Sequence, residues 1–100
     1  GRDIDFLSSN FIQDIRLRLA LLYERQGRTD EALVQLKLVV TFHDRPSRKD
    51  DALWTAARIY KTRGDMKSYR LALESLVETC TWSRYVEKAK RALARSAPAP

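Results

Sequence analysis

LALLYERQGRTDEALVQL, residues 19–36, has a counterpart further along the chain in AARIYKTRGDMKSYRLAL, residues 56–73. Tyr23 and Gly27 recur as Tyr60 and Gly64, an offset of 37 residues. Each Tyr and Gly pair stands between two apolar runs of helical spacing, and a fixed offset of this size is what stacked helical hairpins leave in a sequence. The expected fold class is therefore all-α.

On the N-terminal side, Asn10 followed by Gln13 has the spacing of a capping box. From there Ile12, Ile15, Leu19, Leu22 and Tyr23 follow the 3, 4, 3 spacing of one helical face, predicting a helix to about Gln26. Leu17 and Leu21 form a second apolar stripe, so this helix is expected to be covered on two sides. Gly27 supplies a tight turn, Thr29 the expected N-cap, and Asp30 and Glu31 the negative charge favoured in a first turn. Ala32, Leu33, Leu36, Val39 and Val40 make the inward face of a second helix, antiparallel to the first because the connection is so short.

Pro46 ends that hairpin, since it cannot continue a helix and pushes Arg45 towards an extended conformation. Ser47 with Asp50 repeats the capping-box spacing, and Leu53, Ala56, Ala57 and Tyr60 line a third helix. After Gly64 and Asp65, a fourth helix turns Tyr69, Ala72, Leu73, Leu76, Val77 and Cys80 to one side. A fifth, from about Ser83, carries Tyr85, Val86, Ala89, Ala92 and Leu93 inward and basic residues outward. The expected organisation is a lead-in over residues 1–10 and one domain over 11–95, with a tail over 96–100. Within the domain stand a hairpin at 11–43, a second at 47–80 and a capping helix at 83–95.

One hundred residues, 44% hydrophobic and 32% charged, fit one small domain with a modest core. The longest uninterrupted apolar stretch, Leu19 to Tyr23, is far short of the roughly 18 residues of a membrane span. No basic stretch followed by an apolar one opens the chain, so no signal peptide is read, and Gly1 in first position reads as the edge of a piece of a longer protein. Cys80 is the single cysteine, which excludes an internal disulfide and a cysteine-based zinc site. On an apolar stripe it reads as a small hydrophobe. His43 and Asp44 offer one imidazole and one carboxylate on a loop, and Glu74 and Glu78 flank nothing titratable, so neither pair has the converging groups of a catalytic or metal site. With three glycines and no phosphate loop, the chain is read as no enzyme, holding no cofactor and no metal.

Charge is uneven. Residues 1–50 hold nine Lys and Arg against eight Asp and Glu, whereas residues 51–100 hold ten against five. Arg84, Lys88, Lys90, Arg91 and Arg95 carry most of the C-terminal excess. Such a patch suits an acidic protein, an anionic surface or nucleic acid, and equally a solvated outer face.

The pattern of Leu19, Ala20, Tyr23, Gly27, Ala32 and Leu36, repeated in Ala56, Ala57, Tyr60, Gly64, Tyr69 and Leu73, resembles the tetratricopeptide repeat. The second copy has Tyr69 where the family usually has a small Ala, and the offset exceeds the family's usual period because the loop around His43 to Pro46 is longer. In that respect the chain is similar to longer-loop repeats of bacterial envelope proteins. The resemblance implies helical hairpins stacked in a short right-handed superhelix and a concave groove that holds a peptide or helix of a protein partner. It points to the bacterial periplasm or cell envelope ahead of the cytoplasm. The groove would be lined by Leu17, Arg18, Leu21 and Arg25 from the first helix and by Trp54, Thr55, Arg58 and Lys61 from the third. Trp54 beside Arg58 has the composition of a binding anchor, while the same indole could simply pack within the domain. Leu17 and Leu21 stand where the family's carboxylate clamp needs a basic residue and an amide, so that mode is not expected. The sequence thus suggests a protein-binding scaffold with an apolar groove and a basic rim. Binding of nucleic acid or an anionic surface through the fifth helix, and self-association, are the alternatives.

Overall fold

The computed structural model describes residues 9–42 and 47–96. The expectations for the lead-in over residues 1–8, for His43, Asp44 and Pro46 in the loop, and for the tail over 97–100 lie outside the described residues. Within them stand five helices and no strand: α1 Ser9–Arg25, α2 Thr29–Thr41, α3 Lys49–Arg63, α4 Met66–Thr79 and α5 Val86–Arg95. The chain forms two compact units, Gly1–Ala52 and Leu53–Pro100. Among the described residues, no helix is long and apolar enough to cross a membrane.

In the first unit α1 packs on α2. The buried face of α2 is Ala32, Leu36 and Val39, as its spacing predicts. On α1 the buried residues are Gln13, Leu17 and Ala20, whereas Ile15 and Leu22 remain 47% and 48% exposed. The sequence reading expected both α1 stripes to be covered; Leu17 of the second is enclosed, whereas Ile15 and Leu22 of the first are not. Both are apolar, so periodicity alone cannot choose between them. The stripe bearing small Ala20 allows the closer approach to a neighbour that itself carries Ala32. Gln13 is the second correction. The helix begins at Ser9, before Asn10, so Asn10 is not its cap; the Gln13 amide instead donates from Nε2 to the carbonyl of Phe42 at 3.0 Å and accepts from Arg16 Nη1 at 3.2 Å. One side chain thus satisfies a carbonyl just beyond the far end of α2. Thr29 is the first residue of α2 rather than its cap, a position held by Arg28, which pairs with Glu31 across 2.6 Å.

The two glycine corners match. Gly27 and Gly64 both have φ of 77°. Arg28 N donates to Tyr23 O and Asp65 N to Tyr60 O, each at 2.9 Å; Gly27 N donates to Glu24 O and Gly64 N to Lys61 O, each at 3.0 Å. This paired 6→1 and 5→2 bonding is the Schellman motif, which needs a left-handed residue at the position glycine fills. The recurrent Tyr therefore supplies the carbonyl on which the N–H of the next helix's N-cap residue closes.

In the second unit α4 packs on α5. Tyr69, Ala72, Leu73, Leu76 and Cys80 are buried, in agreement with the periodicity, and Cys80 closes α4 with its N–H on Leu76 O at 2.8 Å. On α3, Ile59 is 1% exposed although the sequence reading left it outside the core; Ala56 and Ala57 are buried as expected. Ser47 acts at the start of α3 by accepting the N–H of Lys49 at 3.0 Å. The fifth helix begins at Val86, three residues after the expected start, because the Ser83 hydroxyl takes the N–H of Tyr85 at 3.0 Å and holds residues 84 and 85 in a turn. Arg70 of α4 fixes the other end of α5, donating from Nη1 to Leu93 O at 3.3 Å and to Ser96 Oγ at 3.0 Å.

Asp65 caps α4 by accepting from Ser68 N at 3.1 Å. Hydrogen bonds from the Ser68 side chain and backbone hold the Asp65 carboxyl below the ordinary carboxylate range, helped by Arg63 and Lys67. A carboxyl lowered on folding contributes stability above its unfolded pKa and loses it as pH falls through the folded value. Acid titration of unfolding should therefore show a shallower low-pH limb in Asp65→Asn than in the parent; identical limbs would mean the cap carries no charge-dependent stability.

Candidate functional site

Three helices of the second unit enclose a cavity of about 390 Å³. From α3 come Trp54, Ala57, Arg58 and Lys61, and from α5 come Lys88, Arg91, Ala92 and Arg95. The two sets share one spacing, steps of three, one and three residues, which keeps four side chains on a single helical face. Tyr69 and Leu73 of α4 complete the lining. Small Ala57 and Ala92 leave the space open, Leu73 gives it an apolar wall, and five cationic side chains surround it. No carboxylate among the described residues lines it.

The aromatic wall is fixed from behind. Trp54 stacks on Tyr85 with ring centroids 4.9 Å apart and planes within 8°, an arrangement worth about 0.5–1.5 kcal/mol beyond area burial. Arg84 in turn holds Tyr85, donating from Nη2 to its hydroxyl at 3.1 Å with the guanidinium carbon 5.1 Å from the ring centroid. Lys61 Nζ lies 5.8 Å from the centroid of the buried Tyr69 ring, within cation–π range. Arg70 has no part in the lining, yet by holding Leu93 and Ser96 it sets the end of α5 from which Arg91 and Arg95 project.

Two groups of residues that the sequence singled out separately meet here. Trp54, Arg58 and Lys61 of the expected groove face the same cavity as Lys88, Arg91 and Arg95 of the basic patch. Thr55 is buried and lines none of it. Arg84 serves Tyr85, and Lys90 pairs with Glu87 at 3.7 Å, so these two members of the patch stand apart from the lining. The four groove residues expected on α1 belong to the first unit. Leu17 is buried, Leu21 half-buried, Arg25 exposed, and Arg18 is exposed and paired with Asp14 at 3.5 Å. Tyr85 and Arg70 were missed as supporting residues. Tyr85 read only as an inward position of the fifth helix, and nothing in spacing announces a stack onto a residue 31 positions earlier.

Compared with family models, curated proteins and solved structures, the chain matches none.

Proposed function

We propose that this chain is a non-catalytic protein-interaction module of tetratricopeptide type, and that the cavity of its second unit holds an acidic segment of a protein partner. The observation that supports this reading most directly is the company of five cations around an apolar floor, with no carboxylate in the lining. Convergent charges of one sign raise the local potential and steer an oppositely charged partner into contact. Trp, Tyr and Arg are also the residue types in which interface energy concentrates. A carboxylate entering the cavity relieves the mutual repulsion of the cations, while the half-buried Trp54 offers apolar contact to the rest of the segment.

Trp54 and Tyr69 beside the cations also favour a second reading, single-stranded nucleic acid stacked on aromatic rings. Size argues for the protein segment. From Trp54 to Lys61 the α3 edge runs about 10 Å, shorter than a groove that tracks a nucleic-acid backbone over several nucleotides.

The test is capture of a glutamate-rich peptide labelled for fluorescence anisotropy. Arg58→Glu combined with Arg91→Glu should weaken binding at least about tenfold, since each lost charge-assisted hydrogen bond is worth about 1.5–3 kcal/mol. Both side chains are exposed, so circular dichroism should stay unchanged. Undiminished capture by the folded double variant would dismiss the proposal, and a steep fall in affinity with salt for single-stranded DNA would favour the second reading.

A further inference from the structure

We infer that the segment held in this cavity is recognised in its phosphorylated form, an inference that rests on the acidic-segment reading above. The argument is one of charge density against length. An extended segment rises about 3.3 Å per residue and turns alternate side chains to opposite sides. Over the roughly 10 Å from Trp54 to Lys61, about three residues fit, and no more than two of their side chains face inward. Two carboxylates bring two negative charges to five cationic side chains. A single phosphoryl group brings a charge of about −1.5 to −2 at pH 7 and three strong acceptor oxygens at one point. Three of the five cations are arginines, Arg58, Arg91 and Arg95, whose planar fork binds phosphate oxygens in pairs.

Geometry adds a second reason. Arg58 and Lys61 stand on α3, and Lys88, Arg91 and Arg95 on α5, so donors reach the cavity from two helices rather than from one row. An anion with oxygens directed tetrahedrally can be met from both, whereas a planar carboxylate presents its two oxygens in one plane. The half-buried Trp54 ring, at the edge of the lining that Tyr69 and Leu73 complete from within the core, suits the aromatic ring or aliphatic stem that carries the phosphate. Arg70, through its bonds to Leu93 O and Ser96 Oγ, keeps Arg91 and Arg95 on the side from which they converge.

The experiment compares four probes on the full chain by isothermal titration. They are a short peptide with one tyrosine flanked by glutamates, the same peptide phosphorylated on that tyrosine, inorganic phosphate, and a single-stranded oligonucleotide. The phosphorylated peptide should bind about tenfold to a hundredfold more tightly than the unphosphorylated one. Arg58→Gln with Arg91→Gln should bring the two peptides together. Equal affinity of the two peptides for the parent chain overturns this inference while leaving the acidic-segment reading intact. Inorganic phosphate binding as tightly as the phosphopeptide overturns it too, since the segment would then contribute nothing. If neither peptide binds and the oligonucleotide does, both the inference and the reading beneath it fall.

Discussion

Leu76→Ala is expected to cost about 2–5 kcal/mol, the range for truncating a fully enclosed Leu. Leu76 has no exposed surface and sits in the middle of the buried face of α4, with Leu73 one turn before it and Cys80 one turn after. The helix that carries it packs on α5, the element that supplies four of the ten residues lining the cavity. A small domain has only about 5–15 kcal/mol in all, so urea unfolding should show a markedly lower midpoint. Leu36→Ala should do the same for the first unit, where Leu36 is 1% exposed. A loss below about 1 kcal/mol for Leu76→Ala would mean that the inward face of α4 is wrongly assigned.

Gly27→Ala and Gly64→Ala should each cost about 1–2 kcal/mol, the expense of placing an L side chain in the left-handed region. The space around each glycine is open, with nothing within 4 Å of an added Cβ, so backbone conformation is the whole effect. Because the two corners share φ and hydrogen-bond lengths, the two costs should agree with each other. Each should lower the melting temperature by roughly 4–8 °C per kcal/mol in a chain of this size. Asn, which tolerates this region better, should lose less than Ala at both positions. A negligible loss at either corner would contradict the Schellman geometry there.

The corners were the most legible part of the fold, since few residues other than glycine tolerate their conformation and the sequence states them directly. The α4 face was nearly as clear, because its apolar residues, the exposed Leu71 excepted, gather on one stripe. On α1 the physics is ambiguous: Ile15, Leu17, Leu19, Leu21 and Leu22 crowd the helix with apolar side chains, and only the shape of its neighbour decides which are enclosed. Gln13 misled for a related reason. A polar residue three positions after Asn10 looks like a cap, and its actual partner, the carbonyl of Phe42, is 29 residues away. Ile59 escaped because it adjoins Tyr60, and α3 encloses residues on more than one of its faces. For the binding site, each row of cations was visible as spacing along its own helix. That Arg58 and Lys61 share a space with Lys88, Arg91 and Arg95 depends on how α3, α4 and α5 close together, and no local pattern encodes that.

The bond from Gln13 to Phe42 has a kinetic meaning as well. It joins the two ends of the first hairpin across a separation of 29 residues, so it closes only once both helices of that hairpin are present. Ribosomes add roughly 5–20 residues per second, so this hairpin can shut while the helices that form the cationic cavity are still being translated. Birth order thus separates the two units, letting the earlier one ripen without waiting for its successor.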